Sequence, residues 1–413
     1  MSTAARNPGS NASTSLAASA TETPQRGASS RRVEFYRHDL GEEEIASLRE
    51  TFASPFLTLG PRVGAFEQRL ADALEQPTRG ATSPLLRPWV VGVSSCTLGM
   101  HMVLHALGVG PGDEVVTTPM TYVSTPNAAL YVGATPIFAD VDPRTGLLDP
   151  ESVASKITPR TKAILCVHLY GQMADVRALR DLADAHGLAL VEDAAHGFEA
   201  ERDGLRPGTL GDAAVLSFYA TKTITSGDGG AIITRREDLD TRLRRLRNHG
   251  TSKDAAARYG GSFQHWDMIE LGFKGALTDV QAALLLPQIA RAHRRRERRE
   301  MIAERYRARF AGSPRIRMMD PVGLSAHHLV PVLVPPDQRE HVLHGLTAAG
   351  IGCAVNYRAV HTLSYYRERF GLAEDSLPHA AAIGAATVSL PVWPDLAHDD
   401  VDYVADTLLG LVP

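Results

Sequence analysis

Lys222 lies in Ser217-Phe218-Tyr219-Ala220-Thr221-Lys222, just before the turn-rich run Ser226-Gly227-Asp228-Gly229-Gly230. Upstream, Val191-Glu192-Asp193-Ala194-Ala195-His196 puts a carboxylate, Asp193, at the end of another apolar run. A lysine in a loop is ordinarily a solvated charge. Paired with such a carboxylate it can do more: the amine can form a Schiff base, and the acid can keep a pyridine nitrogen protonated. Pyridoxal phosphate (PLP) needs both groups. To form the imine Lys222 must lose a proton, which desolvation favours. Once freed it can shuttle that proton.

Other residues converge on the same ligand, each with a plainer reading beside it. The amides and hydroxyls of Ser95, Cys96, Thr97 and Leu98 fit a helix N-terminus, where a phosphate can sit. An ordinary Ser/Thr cap explains the same residues. Ser217 offers a further hydroxyl. Tyr122 either stacks on a flat heteroaromatic ring or packs in the core. Asp193 either meets a pyridinium N–H or caps the next helix, since a carboxylate ending an apolar strand needs some partner. His196, three residues on, either reaches the ring's phenolic oxygen or is structural. The 16 histidines show no HExxH and the chain no CxxC spacing, so no metal site is expected. Basic runs at 242–247 and 291–299 sit on helical patterns and read as solvated helix faces.

The elements that must hold these residues alternate. Short apolar runs at 89–93, 114–117, 136–140, 163–168, 188–192, 213–218 and 231–234 read as strands. Helices fit after Gly60-Pro61, from the Ser94–Thr97 cap to near Gly108, and at 125–131, 175–186 and 238–247. This alternation predicts an α/β sheet, largely parallel and covered on both faces. After about residue 278 one or two long helices run to Phe310. A smaller α+β region follows, with strands at 329–334 and 387–390 and helices at 339–349 and 399–409.

With 43 basic and 47 acidic residues in 413, the chain has no charge excess suited to nucleic acid or a membrane surface. Three widely spaced cysteines point to a reducing compartment, and the expected location is cytoplasmic. Residues 1–32 are rich in Ala, Ser and Thr without an apolar block, and read as a disordered tail. The Pro/Thr/Ser/Gly-rich stretch 75–88 reads as an exposed loop.

From about Val33 to the C-terminus these segments resemble the DegT-like sugar-nucleotide aminotransferases, PLP enzymes of fold type I. The carriers are Pro55-Phe56-Leu57-Thr58-Leu59-Gly60-Pro61, Gly110-Pro111-Gly112-Asp113-Glu114-Val115, the run 157–164, Glu192–His196, Ser217–Gly230 and Arg247-Asn248-His249-Gly250. Within that family, Ser94-Ser95-Cys96-Thr97, the run 120–125, His196 and the segments 365–370, 389–391 and 394–395 look most like the UDP-4-keto-pentose aminotransferases of the aminoarabinose pathway. The resemblance implies a mixed, mostly parallel seven-stranded sheet in a large domain (33–285) and a small C-terminal domain (286–413). It implies Lys222 as the Schiff-base residue, Asp193 on the pyridinium, Tyr122 stacked on the ring and His196 beside it. Thr97, Leu98 and Ser217 would hold the phosphate. Asn248 matches an asparagine that reaches the phosphate in the neighbouring subunit, which implies a homodimer. The implied reaction moves an amine from glutamate to a nucleotide-linked keto-sugar. A keto-sugar dehydratase and a non-catalytic PLP-binding regulator are the alternatives; relatives with histidine at the lysine position carry out the former. The chain departs from the family at Thr223, where asparagine is usual, at Gly275 and Ala276, and at Asn356, where the aminoarabinose enzymes have histidine.

Overall fold

A computed structural model describes residues 31–75, 87–252 and 265–413. Residues 1–30 of the expected tail and most of the 75–88 loop therefore lie outside the described residues. Among these residues, seven strands form one sheet: β1 (Trp89–Val93), β2 (Glu114–Thr117), β3 (Thr135–Phe138), β4 (Thr161–Val167), β5 (Ala189–Asp193), β6 (Ala213–Ser217) and β7 (Gly230–Thr234). Their spatial order is β1-β7-β6-β5-β4-β2-β3, and only β7 runs against its neighbours. The expected mixed, mostly parallel sheet is present.

Side chains alternate across the sheet, and each set meets its own helices. Val91, Val93, Val215 and Ile232 pack against α3 (Cys96–Ala106) and α7 (Glu237–Leu246); the other helices up to this point in the chain are α1 (Glu42–Phe52), α2 (Pro61–Glu75), α4 (Ser124–Tyr131), α5 (Pro150–Lys156) and α6 (Val176–His186). Val90, Ala214, Leu216, Ala231 and Ile233 face the other way, onto Phe66 and Leu70 of α2 and Ala282 and Leu285 of α8 (Asp279–Phe310). Glu192 and Asp193 obey the same alternation. Glu192 is saturated by His168 and by the amides of Gly208 and Gly211, while Asp193 faces the opposite side.

The stretch 279–310 is one helix, α8, capped by a Thr278–Gln281 box. Asp279 reaches back to accept from the amides of Gly60 and Val63, so the start of α8 caps α2 as well. The far half of α8, with Ile302, Tyr306 and Phe310, packs on a second sheet of order β10-β9-β8. Its strands are β8 (Arg317–Met318), β9 (Val330–Leu333) and β10 (Thr387–Leu390). Helices α9 (Arg339–Ala348), α10 (Ser364–Phe370), α11 (Pro378–Ala386) and α12 (His398–Leu411) complete this region.

The basic runs correct one expectation. Arg247, Arg296 and Arg299 are buried, not solvated. Arg247 pairs with Glu67, Arg299 with Glu199 and Arg296 with Glu300, because a desolvated guanidinium requires an acid or a carbonyl beside it. No helix among the described residues is long and apolar enough to cross a membrane.

Candidate active site

Strands β1, β2, β4, β5 and β6 all end at one edge of the sheet, the edge where ligands bind in open α/β folds. Asp193 is the last residue of β5 and Ser217 the last of β6. The loop from Phe218 to Gly229 leaves β6 at that edge, carries Lys222, and returns as β7. Gly230 opens β7 directly under the start of α3. A Cβ there would lie 2.8 Å from Cys96 N and 2.8 Å from Leu216 O, so only glycine lets α3 approach so closely.

A cavity of about 520 Å³ opens among these termini, a size suited to a small-molecule ligand. Thr97, Tyr122, Asp193, His196, Ser217 and Lys222 all line it. Lys222 is half-buried, and among the described residues its Nζ makes no hydrogen bond or ion pair. Burial lowers its pKa from 10.5 to about 8, against the opposing pull of the Asp193 carboxylate. At pH 7 the neutral amine therefore rises from roughly one in 3,000 molecules to about one in ten.

Asp193 is buried, and its carboxylate is only partly spent. Oδ2 accepts from Thr125 Oγ1 at 2.6 Å, and Oδ1 from the Ala195 amide at 3.1 Å and more weakly from Cys96 Sγ at 3.8 Å. The local capping role and the cavity-facing role thus coexist in one side chain. Burial and the adjacent carboxylate push the Cys96 thiol up, so it remains a neutral donor.

His196 is buried and has both ring nitrogens engaged. Nδ1 accepts from the Tyr170 amide at 3.3 Å, which leaves the proton on Nε2, 3.1 Å from Tyr357 Oη. Burial, then the neighbouring Lys222 and His328, hold its pKa well below 6.5. Tyr122 is 60% exposed, which rules out core packing; its ring lies 6.1 Å from that of Tyr357.

At the start of α3, Ser95 is the N-cap and its Oγ accepts from the Leu98 amide at 3.2 Å. The cap reading is therefore realised, and it occupies the Leu98 N–H. The Cys96 and Thr97 amides have no protein partner among the described residues, and Ser217 Oγ lies across the cavity with only a long contact from Tyr219 N at 3.4 Å. Asn248 does not line this cavity. It sits in the turn after α7, bonded to Thr251 and bridged to Lys274.

Two contributors had no role assigned from the sequence. Thr125 orients Asp193 and is itself held by Thr121 at 2.6 Å. Tyr357 comes from the C-terminal region and closes the cavity over His196. Nothing local marks either residue.

The model of the DegT/DnrJ/EryC1/StrS aminotransferase family matches residues 38–409. The chain belongs to that family. It is 38% identical over 382 residues to the spore coat polysaccharide biosynthesis protein SpsC of Bacillus subtilis, covering 90% of this chain and 95% of SpsC. It superposes on DesI, solved in the presence of its TDP-sugar product, with a TM-score of 0.81 at 31% identity (94% of this chain, 95% of DesI). The PLP form of the sugar aminotransferase Spr1654 of Streptococcus pneumoniae gives a TM-score of 0.82 at 28% identity (92% of this chain, 99% of that one). The fold is that of the fold-type-I PLP aminotransferases, and the protein is a sugar aminotransferase of this family.

Proposed function

We propose that the protein is a PLP-dependent aminotransferase that moves the amino group of glutamate onto a nucleotide-linked keto-sugar, probed first as a 4-keto sugar, through Lys222. The observation that carries this reading is the convergence in one cavity of an unpaired, pKa-lowered lysine, a buried carboxylate with acceptor capacity to spare, and open amides at a helix N-terminus.

The residues fit the cofactor. When bound, PLP supplies a carbonyl carbon for amines and an electron-withdrawing pyridine ring. Asp193 would hold the pyridine N–H, and Tyr122 would cover one face of the ring. His196, fixed as the Nε2–H tautomer, would lie beside it. Thr97 and Ser217 would bind the phosphate with hydroxyls, and Thr97 with its amide also. Leu98 would join only by exchanging its bond to Ser95. Lys222 Nζ, neutral in an appreciable fraction near pH 7, would take the Cα proton of the amino donor and hand it to the cofactor's C4′ carbon, and in the return half-reaction would carry a proton from C4′ to the sugar carbon.

Room for a nucleotide supports the substrate class. A second cavity of about 790 Å³ shares Thr121, Tyr122 and Tyr357 with the first and is lined by the exposed Arg358. DesI, of the same family, was solved with a TDP-sugar product. A homodimer is supported by the placement of Asn248 outside its own chain's cavity. Nearby, Trp266, Met268, Ile269 and Leu271 are all more than half exposed, an apolar patch of the kind a partner covers. We further propose a cytoplasmic location, consistent with three free cysteines, and a large and a small domain meeting within α8.

The test is a panel of UDP- and dTDP-linked 4-keto and 3-keto sugars offered with glutamate, following 2-oxoglutarate. Release of 2-oxoglutarate with amination of one sugar is expected. Loss of the keto-sugar without 2-oxoglutarate would make the protein a dehydratase, and no turnover with any sugar would leave a regulator.

A further inference from the structure

Behind Lys222 lies a polar network that the proposed chemistry does not use. The Thr223 hydroxyl donates to Glu199 Oε2 at 2.9 Å. Glu199 Oε1 accepts from Arg299 Nη2 at 2.7 Å, and Arg299 Nε donates to the Ala326 carbonyl at 3.0 Å. The pair is deeply buried, with side-chain exposures of 3% for Arg299 and 8% for Glu199. Two residues further along, Gln288 grips the backbone of Thr225 on both sides: its Oε1 accepts from the amide at 3.0 Å and its Nε2 donates to the carbonyl at 2.8 Å. Arg299 and Gln288 both belong to α8.

The loop after Lys222 is thus fastened to one helix at residues 223 and 225, while Ile224 between them is buried. Glu199 follows Asp193 and His196 on the loop leaving β5. It therefore ties that loop to the one bearing the lysine, and to α8. A buried carboxylate–guanidinium pair is costly unless its remaining valences are filled, and Thr223 fills one of them.

We propose that Thr223 and Glu199 are positioning residues for Lys222: the Thr223–Glu199–Arg299 chain fixes the lysine's backbone relative to Asp193, so that Nζ meets the reacting carbon without a search. This rests on the reading of Lys222 given above. Misplacement by a fraction of an ångström at such a site is felt in the chemical step more than in binding.

The test compares Thr223→Val, which keeps the shape and removes the donor, with Thr223→Ser, which keeps the donor. PLP is added to the apoenzyme, and its covalent capture is followed by visible absorbance; kcat and KM for glutamate are then measured. Thr223→Val is expected to slow capture and lower kcat by about tenfold with KM changed by less than about twofold, and Thr223→Ser to restore both. Parental capture and kcat in Thr223→Val would overturn the proposal, as would equal impairment in both variants, since Thr223→Ser keeps the hydroxyl that the network uses. Glu199→Gln serves as the second probe, and a fall in KM-saturated rate like that of Thr223→Val supports the network. If the parent itself captures no PLP on Lys222, the functional reading fails first and the positioning role falls with it.

Discussion

Thr125 Oγ1 donates to Asp193 Oδ2 at 2.6 Å, and neither residue is open to solvent. The bond crosses from the start of α4 to the end of β5 and leaves the carboxylate with one fixed orientation. A hydrogen bond to a buried charged group is worth about 1.5–3 kcal/mol, and removing the donor strands the acceptor. Thr125→Val should therefore weaken PLP binding and lower kcat by roughly 10- to 100-fold while the far-ultraviolet circular dichroism stays parental. Titration of the apoenzyme with PLP gives the first number and a glutamate half-reaction the second.

The phosphate seat makes a separate prediction. Among the described residues Ser217 Oγ has only one long protein contact, so its deletion leaves no stranded partner there. Ser217→Ala should raise the dissociation constant for PLP by about tenfold, the loss of one hydrogen bond to an anion, with little change in the melting temperature of the apoenzyme. Equilibrium dialysis against PLP checks it.

Lys222 links function to stability with a definite sign. Its folded pKa, about 8, lies below its ordinary value of 10.5, so between these two pH values the unfolded chain binds the extra proton. Stability of the apoenzyme should rise with pH across that window, and the full penalty should be present below pH 8. Lys222→Met should accordingly stabilise the apoenzyme at pH 7, with the advantage shrinking from pH 8 to 10.5. Urea denaturation at several pH values measures it.

His196 is held neutral by burial, by Lys222 and by His328. Nitrogen chemical shifts of labelled histidine should show it as the Nε2–H tautomer without titration near 6.5. Tyr357→Phe removes its Nε2 partner and should lower kcat by a few-fold, about the effect of one neutral hydrogen bond.

How much of this was legible in the residues depends on how local the determinant is. Buried parallel strands are continuous apolar runs, so all seven strands of the large sheet could be placed within a residue or two. Helix α1 buries only Glu44 and Thr51, and α5 only Val153; neither shows an apolar stripe to read. In α11, Pro-His-Ala-Ala-Ala-Ile-Gly-Ala-Ala has almost no polar face against which a stripe could stand out. The site follows the same rule. Lys222, Asp193, Ser217 and Thr97 stand at strand and helix ends that their own segments define. Thr125 meets Asp193 across 68 residues and Tyr357 meets His196 across 161, pairings that only the assembled sheet makes. Two of the three buried arginines follow the same rule: Glu67 lies 180 residues from Arg247 and Glu199 lies 100 from Arg299.

The most direct test of the account is borohydride reduction of the PLP-loaded protein followed by peptide mass mapping, with and without prior glutamate. The account predicts one reduced cofactor adduct, on Lys222, whose formation prior glutamate prevents. An adduct on another lysine, or one on Lys222 that glutamate leaves untouched, would contradict it.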